Sequence, residues 1–276
     1  MSVHARVFGL TDLGQLRVEN EDACLAAFLE NPSASVNATS GTLGGDATRQ
    51  GLVLGAFDGV GGRSSGRFAS DLAARVTLET LSREFATHGA AVEEWASCLC
   101  VAVQRASREI FLESTNTPAR RGMGCTATVA TLCGSTLLVA QVGDTRGYLL
   151  RNRELVQVTT DHTLLNAFIA AGKLTSAQEI ADFEPKHVVL RAMGLGTDVS
   201  VDLVRVELLQ ADVILLCSDG LSSVVPESMI RELLLESSDP QATCKALIAA
   251  GNEAGAPDNI AVVIVHLEGD LPPAHS

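Results

Sequence analysis

Acidic residues recur at the edges of apolar runs in this sequence. Asp58 closes "GLVLGAF" and is followed by glycines at 59, 61 and 62. Asp144 follows "LLVAQVG", Asp219 follows "VILLCS", Asp258 stands just before "NIAVVIV", and Glu21 and Asp22 stand just before "ACLAAF". A single acid in such a place is an ordinary turn residue, and Asp58 alone reads equally well as the cap of a following helix. The set says more. If the strand ends meet, like charges come together, and clustered carboxylates must share protons or bind cations. Carboxylates, with a glycine carbonyl and waters, form a hard oxygen site suited to Mg²⁺ or Mn²⁺ rather than Zn²⁺. Two such ions ~3.5–4 Å apart can activate a water and aim it at a phosphoryl centre. The glycines after Asp58 would let a backbone oxygen approach a metal with no Cβ in the way.

Such a site needs a frame of buried strands. Segments 23–29 and 51–57 read as short buried strands, and two helices follow. The first carries Phe68, Leu72, Val76, Leu81 and Phe85 at helical spacing; the second, over about 92–113, carries Trp95, Leu99, Val103, Ala106 and Ile110 on one face. "CTATVATL", "STLLVAQVG", "RGYLLRN" and "ELVQVTT" then form a meander of strands. The chain turns helical between about 161 and 184, with Thr175 and Gln178 as a capping box. "VSVDLVRVEL" alternates as a strand whose phase slips between Leu203 and Val204, which predicts a bulge. "DVILLCS" is a buried strand, Pro226 opens a helix to about 236, another helix covers about 240–252, and "NIAVVIVHL" closes the fold as a strand. This order is not the βαβ alternation of a parallel sheet. It predicts an α+β fold, two antiparallel sheets stacked with helices outside. The stretch 31–50, rich in small polar residues, predicts a mobile surface loop. With no repeats and no clear linker, residues 1–276 read as one domain.

Bulk composition narrows the partners. A net charge of −13 argues against nucleic acid and anionic membranes, and a phosphorylated substrate would need local positive charge. The seven cysteines form no C-x-x-C pair, so buried free thiols are expected and zinc is not. The N-terminus lacks the pattern of a signal peptide and no apolar run is long enough to span a bilayer, so a soluble cytoplasmic protein is expected.

Several of these residues also carry a resemblance. "RVENED" (17–22), "DGVGG" (58–62), "GMGCTATVA" (122–130), "VGDTRGYLL" (142–150), "TTDHTLL" (159–165), "LRAMG" (190–194), "CSDGLSSVV" (217–225) and "PDNIAVVIV" (257–265) occur in this order. Together they resemble the metal-dependent serine/threonine protein phosphatases of type 2C in their compact bacterial form, from about residue 5 to residue 267. The resemblance implies a four-layer αββα sandwich and hydrolysis of phosphoserine and phosphothreonine in proteins by a water activated between two Mg²⁺ or Mn²⁺ ions. It implies that Asp58 bridges the ions, that the Gly59 carbonyl ligates one of them, and that Asp219 and Asp258 complete the other. Glu21 and Asp22 correspond to acids serving the second ion, and Asp144 with Asp219 to the holders of a third. Arg17 aligns with the arginine that grips the substrate phosphate. Residues 161–190 resemble the family's flap, and a lone catalytic domain of this kind implies a monomer opposing a serine/threonine kinase.

The sequence departs from the family pattern at Val60, where some members place a histidine, and at Arg63 and Arg67, which read as solvated residues. These departures motivate an alternative, a catalytically silent phosphoprotein-binding module. Cys217 reads as a buried thiol rather than a nucleophile, and His162 as positional more than catalytic.

Overall fold

The structure is a computed structural model; it describes residues 2–30, 35–36, 41–61, 65–87, 91–184 and 188–273. In chain order its elements begin with β1 (Val3–Asp12), β2 (Asp22–Phe28), β3 (Ser35–Val36), β4 (Leu43–Asp46), α1 (Ala47–Gln50) and β5 (Leu52–Val60). The long pair α2 (Ser65–Thr87) and α3 (Val92–Asn116) follows, then β6 (Gly124–Cys133), β7 (Thr136–Val142), β8 (Arg146–Arg151) and β9 (Glu154–Gln157). Two short helices, α4 (Leu164–Ala170) and α5 (Ala177–Asp182), precede β10 (Asp202–Glu207) and β11 (Val213–Cys217). Helices α6 (Asp219–Ser222), α7 (Glu227–Glu236) and α8 (Pro240–Glu253) lead into β12 (Ile260–Gly269).

The strands form two six-stranded antiparallel sheets, ordered β4-β1-β12-β11-β8-β9 and β10-β7-β6-β5-β2-β3. One apolar cluster fills the space between the sheets, with Leu54, Val139, Leu216 and Val265 among its members. A second joins β2, β5 and β6 to the buried faces of α2 and α3, including Leu81, Leu99 and Ile110. A third packs α7 and α8 onto β11 and β12 through Ile230, Leu234, Leu247 and Ile264. Full burial of each such side chain contributes roughly 1.5–3 kcal/mol. The layers are therefore helix, sheet, sheet, helix, and the α+β sandwich is the observed fold. Strands β6, β7 and β11 are buried throughout because both of their faces are covered, which is why apolar residues occur on both faces instead of alternating with exposed ones.

Some expectations are corrected. The stretch 31–50 is not simply a loop. Over 43–46 it adds β4 to β1, pairing His4 with Asp46 and Val7 with Leu43, and Asp46 then caps α1 by accepting from the Thr48 and Arg49 amides. Residues 31–34 and 37–40 lie outside the described residues, as do Gly62 and Arg63. No bulge interrupts β10, which pairs with β7 in unbroken register from Asp202 to Glu207. Leu203 packs toward the helix pair while Val204 and Val206 pack between the sheets, so the phase slip reflects two covered faces. The capping box of α5 lies one residue later than expected, formed by Ser176 and Glu179. Pro226 precedes α7 as its N-cap. Among the described residues no helix is long and apolar enough to cross a membrane.

Candidate active site

The site forms where the ends of both sheets meet. Strands β2 and β5 pair so that Asp22 lies directly opposite Asp58, and β5 pairs with β6 so that Asp58 lies opposite Thr126. Strand β5 continues through Asp58 to Val60, so Asp58 is a strand residue and not a helix cap. From the other sheet, the Ser218 hydroxyl donates to the Asp22 carboxylate at 2.6 Å and accepts from the Ala261 amide at 2.8 Å. That pair of bonds fixes the end of β11 against β2 and β12 and sets Asp219 beside them. Gly220 lets the β11 turn close: a Cβ there would stand 1.8 Å from the Asn259 carbonyl oxygen. Only a glycine permits this approach, which brings Asp219 toward Asp258.

Gly59 meets a comparable constraint. A Cβ would lie 2.1 Å from the Gly66 carbonyl oxygen and 2.6 Å from that of Glu21, while the Gly59 amide donates to the Glu21 carbonyl at 3.2 Å. Close packing of the strand end against α2 therefore requires the glycine. The Gly66 amide in turn hydrogen-bonds the Glu21 carboxylate. Asn259 holds the segment that carries Arg17: its side chain accepts from the Glu21 amide and donates to the Leu13 and Glu19 carbonyls. Arg17 itself pairs with Asp258 at 2.6 Å.

Arg17, Glu21, Asp58, Gly59, Asp144, Asp219 and Asp258 all line one open cavity of about 570 Å³. Asp22 lies buried beneath it, next to Asp58. A smaller recess of about 250 Å³ shares Asp144 and Asp219 and is walled by the Arg146–Asp161 ion pair. The residues singled out along the sequence are thus brought together. Ser218, Asn259 and Thr126 add to the site. Ser218 and Asn259 carry no signal of their own in the sequence, although each adjoins a singled-out aspartate; Thr126 lies within the "GMGCTATVA" stretch. Arg67 is a solvated helix residue with an i,i+4 partner in Asp71, as expected.

Like charges in a confined place shift one another's protonation. Burial, then the Asp22, Asp219, Asp144 and Asp258 carboxylates, pushes Asp58 well above the usual carboxylate range. Burial also drives Asp22 upward, opposed by the Ser218 hydroxyl and reinforced by Asp219 and Asp258. Asp144 is raised to about 7 by burial, with Asp219 and Asp161 adding to the effect. Glu21 is raised by burial, opposed by the Gly66 amide and Arg17. Cys217, fully buried, is pushed up to about 12, which keeps it a thiol.

A cluster of carboxylates held at this cost suits bound cations, and its donors are hard oxygens. The Thr126 hydroxyl, buried in the cavity wall, has no hydrogen-bond partner among the described residues. Among the described residues no three His, Cys, Asp or Glu side chains close into a cage around one point. Ions of the Mg²⁺ type do not require one, since they keep several waters and take one or two carboxylates each. The donor set therefore fits Mg²⁺ or Mn²⁺.

Comparison with known proteins bears on the same residues. A family model described as Protein phosphatase 2C matches residues 10–167. The chain is 34% identical over 261 residues to serine/threonine phosphatase stp of Listeria monocytogenes serotype 4b, covering 95% of this chain and 94% of that protein. The crystal structure of the Mycobacterium tuberculosis serine/threonine phosphatase PstP/Ppp is similar with a TM-score of 0.78 and 28% identity, over 98% of this chain and all of that one. A second structure, the catalytic domain of PstP in complex with two manganese ions, is similar with a TM-score of 0.75 and 28% identity, over 97% of this chain and all of that one. On sequence and fold together, this chain belongs to the protein phosphatase 2C family, in the compact form of its bacterial relatives.

Proposed function

We propose that the protein is a Mg²⁺- or Mn²⁺-dependent phosphatase of phosphoserine and phosphothreonine in proteins, acting as a single catalytic domain. The observation that carries this reading is the convergence of Arg17, Glu21, Asp58, Asp144, Asp219 and Asp258 on one cavity in a chain of this family. Relatives named as serine/threonine phosphatases support the substrate class, and a relative solved with two manganese ions supports the metal.

Asp58, Asp219 and Asp258, with the Gly59 carbonyl, are the residues that would hold two ions; Glu21 and Asp22 would support one of them, and Asp144 with Asp219 would hold a third. When bound, such ions act as Lewis acids and lower the pKa of the attacking water. The chain's own groups do the rest. Arg17 presents a planar guanidinium whose paired N–H groups orient a phosphate and offset charge gathering on its oxygens in the transition state. Ser218 fixes the Asp22 carboxylate and so restrains the adjacent Asp58. No side-chain nucleophile is required, in keeping with the buried thiol of Cys217. The seven cysteines are all free thiols, which suits a reducing compartment, and we place the enzyme in the cytoplasm, opposing a serine/threonine kinase.

Purified protein supplied with Mn²⁺ is expected to hydrolyse a phosphothreonine peptide and to stop when the ion is chelated. Asp58→Ala is expected to lower kcat by about 100-fold or more, the scale on which loss of a central electrostatic group is felt. Hydrolysis that survives both treatments contradicts the proposal.

A further inference from the structure

His162 lies outside the acidic cluster, yet it is bonded on every side. Its backbone amide donates to the Gly143 carbonyl at 2.8 Å, and its ring Nδ1 accepts from the Gly143 amide at 2.9 Å. Both polar groups of the residue before Asp144 are therefore bonded by His162, and the carbonyl also accepts from Gln141 Nε2 at 2.9 Å. Gly143 has little freedom to compensate: its φ is +102°, and a Cβ there would meet Thr126 at 2.4 Å. Because Nδ1 accepts a main-chain N–H, the proton of a neutral ring sits on Nε2, which lies 3.2 Å from the Asp202 carboxylate and 3.0 Å from Nη1 of Arg191. Asp202 begins β10 and is also paired with Arg191 at 2.5 Å.

The same residue closes the neck of the helical excursion that carries α4 and α5. The His162 carbonyl accepts from the Leu190 amide at 2.8 Å, the Leu164 amide donates to the Val188 carbonyl at 2.9 Å, and Thr163 bridges Val189 in antiparallel fashion. Val189 lines the same cavity as the acids. The His162 side chain is only 8% exposed, so water does not compete for these bonds. The residue thus spans three parts of the molecule: its ring meets the peptide before Asp144 and the edge strand β10, and its main-chain carbonyl holds the neck bearing Val189.

We propose that His162 is a positioning residue: its neutral ring ties the Gly143–Asp144 peptide at the cavity to Asp202 of β10, while its main chain holds the neck that carries Val189 into the same cavity wall. The consequence for turnover rests on the phosphatase reading above. The two ring nitrogens have separable duties, and substitutions divide them. In His162→Asn the amide oxygen falls near the place of Nδ1 and keeps the Gly143 bond while the Asp202 contact is lost. In His162→Gln the longer amide reaches Asp202 and the Gly143 bond is lost.

The test compares full-length native protein, His162→Asn and His162→Gln, with Mn²⁺ present, by hydrogen–deuterium exchange of peptides covering Gly143 and Leu190 and by kinetics on p-nitrophenyl phosphate and a phosphothreonine peptide. His162→Gln is expected to raise exchange at Gly143 by about tenfold and to lower kcat on both esters by about tenfold, as loss of a group that fixes reacting geometry does. His162→Asn is expected to keep Gly143 protected and kcat within about threefold, while KM for the peptide alone rises by about threefold or more. Unchanged exchange at Gly143 in His162→Gln overturns the inference. So does a loss in which the two variants differ only in proportion to their melting temperatures. Should His162→Gln not fold, Asp202→Asn decides: it is expected to raise the peptide KM with kcat on the small ester held, and a fall in that kcat overturns the inference. Native protein that hydrolyses neither ester would contradict the functional reading, while the exchange comparison would still decide the role of His162.

Discussion

Two arginines near the site, Arg17 and Arg67, differ in what surrounds them. Arg17 lines the cavity and is held by Asp258 at 2.6 Å, with its segment pinned by Asn259; Arg67 has 61% of its side chain in solvent and pairs with Asp71 at 3.8 Å. A guanidinium fork that receives a phosphate loses its function on truncation, whereas a solvated cation loses little. Arg17→Ala is expected to lower kcat/KM on a phosphothreonine peptide by about 10- to 100-fold, with Arg17→Lys recovering little because an ammonium has no fork. Arg67→Ala is expected to stay within about threefold of native protein. Equal losses at the two positions would contradict this division of roles. At this scale the sequence made the acids legible but not their supports. Asp58 and Asp219 stand out because acids recur at the ends of several apolar runs, whereas Ser218 and Asn259 are residue types that any turn uses.

At the scale of elements, the site depends on close approaches that glycine permits. A Cβ on Gly220 would stand 1.8 Å from a backbone oxygen of Asn259, and backbone cannot step aside as a side-chain end can. Gly220→Ala is therefore expected to cost about 1–3 kcal/mol, read as a fall of roughly 2–12 °C in melting temperature, together with weaker Mn²⁺ binding as Asp219 leaves Asp258. Native-like melting and metal binding would contradict it. Strand identity is largely readable because a doubly covered strand such as β11 is an unbroken apolar run and β6 mixes apolar residues only with threonines. Strand β1 went unread, although Val3, Ala5 and Val7 are buried and alternate with His4 and Arg6. Strand β4 and helix α1 carry little propensity of their own, being built from a Gly–Gly step and a cap, and they exist because β1 offers an edge to pair with. The Asp22–Asp58 register was beyond reach for a related reason: strand pairing is a long-range choice that no local window records.

For the whole molecule, the clustered acids make stability depend on pH and on cations. A carboxyl raised in the folded state binds its proton more tightly there than in the unfolded chain. Its contribution is full below the ordinary carboxylate pKa of 3.8 and is lost as pH rises through its folded value, about 7 for Asp144. His162 and His266, lowered by burial, act in the opposite sense, but only as pH falls through about 6.5. Between about pH 6.5 and 8.5 the acids therefore dominate. Metal-free protein is expected to melt at lower temperature at the upper end of that window, Mn²⁺ to raise melting more there than at the lower end, and Asp144→Asn to flatten the metal-free profile. A metal-free protein that gains stability across the window would contradict this. The measurement that bears most directly on the whole account is calorimetric titration of the metal-free protein with Mn²⁺ near pH 7.5, in two buffers of different ionisation enthalpy. The account predicts saturable binding of at least two ions with release of protons, reduced in Asp58→Ala; heats that show no saturable binding, or binding unchanged in Asp58→Ala, would contradict it.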